Sequence, residues 1–515
     1  MSQAVSRVAI LVGILTALFL AALDQTIIAT ALPSIASDLS FPASLISWLA
    51  TSYLVASTVS LPIWGKLSDI YGRKATLLTG VALFVLASVL CGFANSPLEL
   101  VLLRALQGLG SAGIFANVFA IVGEVFTPRE RPKFQGLLGA MFGLASLIGP
   151  WIGGLVTDAF GWQWVFWLNL PLGLIAMAVI AYKLPPLKND RGGRIQWLSV
   201  LLLVLGVVPI MLVMAELGET RALLPSMAIA LAFGVLMTAA FIYHEWVSKE
   251  PVLNVHLFRN PVYGRAGLAT FVLGMSFLGT IIYVPLFAVN AIGVSATIAG
   301  AALTPLTFGF VLGNVLSGQL VSRIGFYKPV LVPTTFVQAV LFMLYAFWVS
   351  PELSFLGFAL SLFVLGLSIG PTLPLYTQIM ISSVSRDQMG VASSNATFIR
   401  QVGATLGLAM IGLLFTFVLS DSNAALLSQF AAQLPTQALA ELQQLQVQGL
   451  TPEMIDQVVN NPTTQAAMQP LVAKSWSDSL AAVFFTSSII AFIGFLFTAW
   501  MPDVNLHATD PVAKS

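Results

Sequence analysis

Apolar runs of about 20 residues recur from one end of the chain to the other, a length that suits a helix crossing a bilayer. Fourteen are counted, near 8–33, 44–65, 75–94, 98–122, 134–157, 163–183, 197–217, 225–247, 262–290, 296–318, 329–349, 353–380, 391–419 and 479–501. The short alternating segments of an outer-membrane barrel are absent. With 58% hydrophobic and 8% charged residues and a mean hydropathy of +0.92, the chain is too apolar for a soluble protein. An all-α polytopic membrane protein is expected.

The cations agree with this count. Threading the runs with the N-terminus inside places 18 of the 22 Lys and Arg in inner loops and tails. Arg221 and Lys474 fall outside, and Arg104 and Arg400 lie within helices. Both termini are therefore expected on the cytoplasmic side. The first run is too long for a signal-peptide core and is read as a retained helix. The formal charge of +1 says nothing of nucleic acid, and no such partner is expected. Cys91 stands alone in an apolar run and is read as a small packing residue.

A repeat divides the chain. Gly65-Lys-Leu-Ser-Asp69-Ile-Tyr-Gly72-Arg73-Lys74 after the second run is echoed by Gly318-Gln-Leu-Val-Ser322-Arg323-Ile-Gly325 after the tenth, each with two glycines seven apart. Two related six-helix halves explain it, at 1–190 and 251–515, with two inserted helices in 191–250. An outer loop at 420–478, rich in Gln, Ala and Leu with a turn near Gly449 to Pro452, suggests short amphipathic helices, as a cap or a spacer.

Charges inside apolar helices are expensive and mark substrate or ion paths. Asp24 lies in the first run and Arg104 in the fourth. At about 1.5 Å per residue they sit about 13 Å and about 10 Å below the outer face, so they can meet. Burial raises a carboxylate's proton affinity and a neighbouring guanidinium lowers it, so a change in their separation would move a proton. A permanent structural ion pair is the alternative. Trp48, Tyr53, Gln107 and Arg400 are candidate cavity-lining residues, with ordinary helix packing as the alternative.

Several motifs point further. Leu23-Asp24-Gln25-Thr26-Ile27 runs on to Ala31-Leu32-Pro33, and Arg104 opens Arg104-Ala-Leu-Gln107-Gly108-Leu-Gly110. The inner loop spans Gly65 to Leu77. The fifth run holds Gly136, Ala145, Gly149, Pro150, Gly153 and Gly154 at about helical-turn spacing, suited to close helix packing and a bend. The sixth opens Gly161-Trp162-Gln163-Trp164-Val-Phe166-Trp167-Leu-Asn169.

These residues resemble the major facilitator superfamily, and within it the 14-helix drug:proton antiporters, across nearly the whole chain. The resemblance implies that Gly65, Asp69, Gly72, Arg73 and Lys74 form an inner-loop gating motif bracing the two halves, with Arg386 as a candidate partner of Asp69. It also implies an antiporter element in the fifth run. Departures are Ile70 for a basic residue, Ala145 for a glycine and Gln163 for an arginine.

Two matches are set aside. Gly108-Leu-Gly110-Ser-Ala-Gly113 fits a dinucleotide fingerprint but lacks a preceding strand. Gly366-Leu-Ser368-Ile-Gly370 fits a nucleophile elbow, yet His244, His256 and His507 fall near or in inner loops or the tail. No nucleotide-hydrolysing loop, metal site or cofactor is expected, and the chain is not read as an enzyme. The expected function is a monomeric, proton-gradient-driven exporter of amphipathic compounds, cationic or neutral, in a bacterial inner membrane. Its partners are the substrate, protons and lipids. Export of a lipid or long-chain amphiphile, and a non-transporting receptor, are the other readings.

Overall fold

The computed structural model describes residues 2–41, 43–187, 193–220, 224–350, 354–431, 462–504 and seven positions between 434 and 459. Lys188, Arg191, Arg221, His507, Lys514 and most of the Gly449 to Pro452 turn lie outside the described residues. The chain is all-helical. Its first six long helices are α1 (Ser2–Asp38), α2 (Trp48–Tyr71), α3 (Arg73–Cys91), α4 (Pro97–Val125), α5 (Arg131–Phe160) and α6 (in two pieces, Gln163–Trp167 and Asn169–Lys183). Then come α7 (Trp197–Thr220) and α8 (Pro225–Val247). The last six are α9 (Pro261–Phe287), α10 (Leu303–Ile324), α11 (Lys328–Trp348), α12 (in two pieces, Phe355–Ile369 and Thr372–Ser382), α13 (Met389–Phe430) and α14 (Pro462–Trp500).

Thirteen stretches of the described residues are long and apolar enough to cross a membrane. The fourteenth, α2, is less apolar because it carries Ser52, Ser57, Thr58 and Ser60, all turned into the protein interior. Large apolar side chains such as Trp151, Ile229, Phe347 and Phe417 stand exposed around the outside, as a lipid-facing surface requires. Local chemistry sets the helix ends. Ser96 caps α4 by accepting Glu99 N–H at 3.3 Å, Pro97 fills the first helical turn, and Glu99 accepts Asn95 N–H at 2.9 Å.

Helix contacts form two groups. In the first, α4 packs on α2 and α3, α1 on α5 and α6, and α3 on α6. In the second, α9 packs on α13 and α14, α10 on α12, and α11 on α14. The groups meet through α5 with α10 and through α2 and α4 with α13. The inserted helices α7 and α8 pack on each other, and α7 also lies against both α2 and α13 beside that junction.

The glycine repeat has one structural meaning in both copies. Gly72 and Gly325 turn the chain at φ +91° and +84°, in the region that favours glycine. Gly65 lies against Gly390 and Ser394 of α13, and Gly318 lies against Pro132 and Gly136 of α5. Each copy thus places one glycine in a turn and the other where the two groups touch.

Among the described residues, the two ends of the expected outer loop are helix. α13 runs past residue 419 to Phe430 and α14 begins at Pro462, so both helices are longer than their apolar runs. Ala, Leu and Gln are strong helix formers and extend a helix beyond the point where lipid ends. Leu426, Leu427, Phe430, Leu442, Leu450, Ile455 and Met468 are buried there, and Trp476 donates to the Leu450 carbonyl at 2.8 Å.

One close backbone approach sits between α2 and α4, where a Cβ on Gly108 would run into the Tyr53 carbonyl. Gly108→Ala is therefore expected to cost about 1–3 kcal/mol by overpacking. Thermal unfolding in detergent would read it as a lower Tm than wild type.

Candidate functional site

Asp24 and Arg104 meet. Arg104 Nη1 lies 2.6 Å from Asp24 Oδ2, and each residue is 1% exposed. The remaining donors complete a cage. Gln107 Nε2 donates to Asp24 Oδ1 at 2.8 Å, and Asn169 Nδ2 donates to the same oxygen at 3.0 Å. Asn169 is aimed by Ser88, which accepts from it at 2.9 Å and donates to the Phe166 carbonyl at 2.8 Å. Arg104 in turn donates to Gln107 Oε1 at 2.7 Å and to the Leu49 carbonyl at 3.2 Å. Its guanidinium stands 4.4 Å from the Tyr53 ring centroid, a cation–π contact.

Helix periodicity assembles this group. Arg104 and Gln107 are three apart on α4 and share a face, while Gly108 brings α2 close enough for Leu49 and Tyr53 to reach the guanidinium. A buried carboxylate beside an arginine with every partner satisfied is neutral as a unit and needs no water. Among the described residues, the hydrogen-bonding partners of the pair all come from the first six helices.

Of the residues expected to line a cavity, Tyr53 and Gln107 are buried in this network. Trp48 is half-buried against the apolar cluster that contains Leu49 and Phe166. Arg400 lies apart from the network, half-buried on α13.

At the Gly72 end, Asp69 ties the groups together. It pairs with Arg73 and accepts Gly390 N–H at 3.1 Å and Val391 N–H at 2.9 Å, at the N-terminus of α13. Free N–H groups and a helix dipole suit an anion there. This replaces the expected Arg386 partner: a helix start offers two converging donors, and Arg386 lines the adjacent recess with Asp387 and Glu124. Arg73 also bonds Glu124 and Ser68, both at 2.8 Å, and Lys74 donates to the Ala181 carbonyl at 2.6 Å. Further bonds cross between the groups from Gln135 to Gln378 at 3.0 Å, from Ser322 to the Arg129 carbonyl at 2.7 Å, and from Thr58 to Gln401 at 2.8 Å.

The small residues of α5 split between two faces. Gly136, with Gly139 and Gly143, lies against Asn314, Phe310 and Val311 of α10. Gly149 and Gly153 lie against Thr26, Ile27 and Thr30 of α1, and Thr26 donates to the Ala145 carbonyl at 3.0 Å. Pro150 is exposed and Gly154 faces open space. At the far end of α1, Asp38 accepts Trp162 Nε1 at 2.7 Å and Gln163 Nε2 at 3.4 Å, so Gln163 keeps a polar tie there.

The two set-aside motifs are structural in place. Gly108, Gly110 and Gly113 face Tyr53, Phe84 and Gly80 across helix contacts. Ser368 donates to the Leu365 carbonyl within its own helix.

Sequence reasoning missed Asn169, Ser88, Glu124 and Gln135 as partners. Asn169 closes the Trp-rich Gly161 to Asn169 segment, and its matching depth to Asp24 was the available signal. Removing one member of the pair strands the other, at a cost of about 3–5 kcal/mol. Arg104→Gln is expected to lower the detergent Tm strongly. Combining it with Asp24→Asn should lose less than the sum of the two single changes, as a double-mutant cycle would measure.

Residues 14–408 match the Major Facilitator Superfamily model. The multidrug transporter protein MdtP of Bacillus subtilis (strain 168) is 34% identical over 512 residues, 97% of this chain and 94% of that protein. Multidrug resistance protein 3 of the same organism is 31% identical over 80% of each chain. Among solved structures, the human organic anion transporter MFSD10 aligns at TM-score 0.62 with 13% identity, over 96% of this chain and 99% of that one. The proton:xylose symporter XylE aligns at 0.61 with 14% identity, over 97% and 96%. Those two establish the fold, and the matched residues with the multidrug relatives establish that this chain belongs to the Major Facilitator Superfamily of membrane transporters.

Proposed function

We propose that the protein is a proton-coupled exporter of amphipathic compounds that works by alternating access in a bacterial inner membrane, with both termini cytoplasmic. The multidrug relatives support the substrate class, and the distribution of Lys and Arg supports the orientation. The observation that carries the reading is the Asp24 to Arg104 pair, a carboxylate at membrane depth 2.6 Å from a guanidinium.

Its two members hang on different helices. Asp24 is on α1, which Thr26 and the glycines of α5 join to α5, and α5 packs on α10. Arg104 is on α4, which Leu49 and Tyr53 join to α2, and α2 is latched to α13 through Asp69. A rocking of the last six helices therefore pulls on the two charges along separate routes. Separated from Arg104 in an apolar interior, Asp24 takes up a proton; brought back against the guanidinium, it releases it. On the proposed orientation the latched Gly72 end is cytoplasmic. Antiport then requires that Asp24 take its proton from the outer side while that end is closed, still carry it as the Gly72 end opens, and give it up to the cytoplasm as substrate is captured, so that proton and substrate travel in opposite directions.

Two outcomes test this. In proteoliposomes with an imposed pH gradient, Asp24→Asn and Arg104→Ala are expected to insert yet lose ligand-dependent proton flux by about tenfold or more, the worth of one charge-assisted contact. Coupled flux at the wild-type rate in Asp24→Asn removes the assigned role. Asp69→Asn weakens a charge-assisted bond to α13 by about 1–2 kcal/mol, shifting the population about tenfold toward a state open at the Gly72 end. Spin-label distances between α2 and α13 would lengthen. Unchanged distances would mean that Asp69 does not hold the closed state.

A further inference from the structure

Two buried arginines, Arg104 and Arg73, are neutralised by carboxylates. Arg104 has Asp24, and Arg73 has Asp69 and Glu124. Arg400 is different. It forms no ion pair, hydrogen bond or ring contact with the described residues. A guanidinium does not shed its proton to escape a poor environment, so its charge remains.

Its place is specific. Residues Met389 to Phe398 of α13 are all buried, forming the closed junction at the Gly72 end. From Ile399 to Val402 the helix becomes half-buried, so Arg400 stands just past the fully buried stretch. There α13 faces both groups: the neighbouring Gln401 bonds Thr58 of α2, and the Arg400 carbonyl rests on Gly274 of α9. Along its length α13 has α2, α4, α7, α9, α12 and α14 around it. Arg400 is thus an uncompensated cation where the two groups part, whereas the Asp24 charge is compensated inside the first group.

We propose that Arg400 is the docking point for the acidic group of an amphipathic substrate, a carboxylate, sulfonate or phosphate carried on an apolar body. This rests on the export reading and narrows it: the charge offered at the junction is positive, so the complementary compound is anionic rather than cationic. A guanidinium suits such groups because its fork can donate two parallel hydrogen bonds. The acidic group can belong to a soluble compound or to a lipid headgroup.

The test uses two probes with one aromatic core, 1-anilinonaphthalene-8-sulfonate and uncharged N-phenyl-1-naphthylamine. Efflux from phosphatidylcholine proteoliposomes is followed by fluorescence for the wild type, Arg400→Gln and Arg400→Lys. The wild type is expected to move the sulfonate, Arg400→Gln to move it about tenfold more slowly with the neutral probe within about twofold, and Arg400→Lys to retain part of the sulfonate flux. Inhibition of that flux by added phosphatidylglycerol assigns the lipid headgroup as the physiological source, and its absence assigns a soluble compound. Equal sulfonate flux in Arg400→Gln overturns the proposal. So does equal loss of both probes in Arg400→Gln and Arg400→Lys, which marks a structural role. Transport of the neutral probe alone by the wild type sinks the anion site and leaves export standing. Transport of neither probe sinks both.

Discussion

A carboxylate and a guanidinium 2.6 Å apart inside an apolar bundle organise the first six helices of this protein. Neither charge would be tolerated alone at that depth, since an uncompensated ion in a low-dielectric interior costs several kcal/mol. The polar groups around them follow from that demand. Gln107 and Asn169 fill the lone pairs of Asp24, Ser88 aims Asn169, and the Leu49 carbonyl takes the third direction of the guanidinium. Five helices, α1 to α4 and α6, are pinned together by this group of side chains.

Around it, glycine does the work that apolar burial cannot do in lipid. Without a hydrophobic drive between helices, close backbone approach supplies the packing. The split of α5 into one glycine face toward α10 and another toward α1 makes that helix the mechanical link between the second group and Asp24. Asp69, docked on the first turn of α13, supplies the second link through α2 and α4. The ion pair lies between these two links.

Much of this was legible in the sequence. Asp24 and Arg104 stood out because a charge in an apolar run has almost no background, and the rise per residue put them at one depth. Fourteen helices followed from run length and from where the cations fall. The partners of Asp24 were harder to see, because Asn, Gln and Ser are common in helices and their pairing depends on which faces meet. The Asp69 contact was illegible for another reason: its donors are backbone N–H groups, which every residue carries. The ends of α13 and α14 were misplaced because hydropathy marks where lipid stops, whereas a helix stops where its capping and propensity do. Arg400 was visible as a charge, but its lack of a partner among the described residues is a fact of three dimensions.

The central claim is that Asp24 changes its protonation as its distance to Arg104 changes. The most direct measurement is an infrared difference spectrum between the wild type and Asp69→Asn, whose Gly72 end is released, recorded with and without Asp24→Asn. The account requires a protonated-carboxyl band, sensitive to deuterium exchange, in the released protein and its disappearance when Asp24 is replaced. A released protein in which no such band depends on Asp24 would mean that the pair stays ionised throughout and serves as a structural bridge.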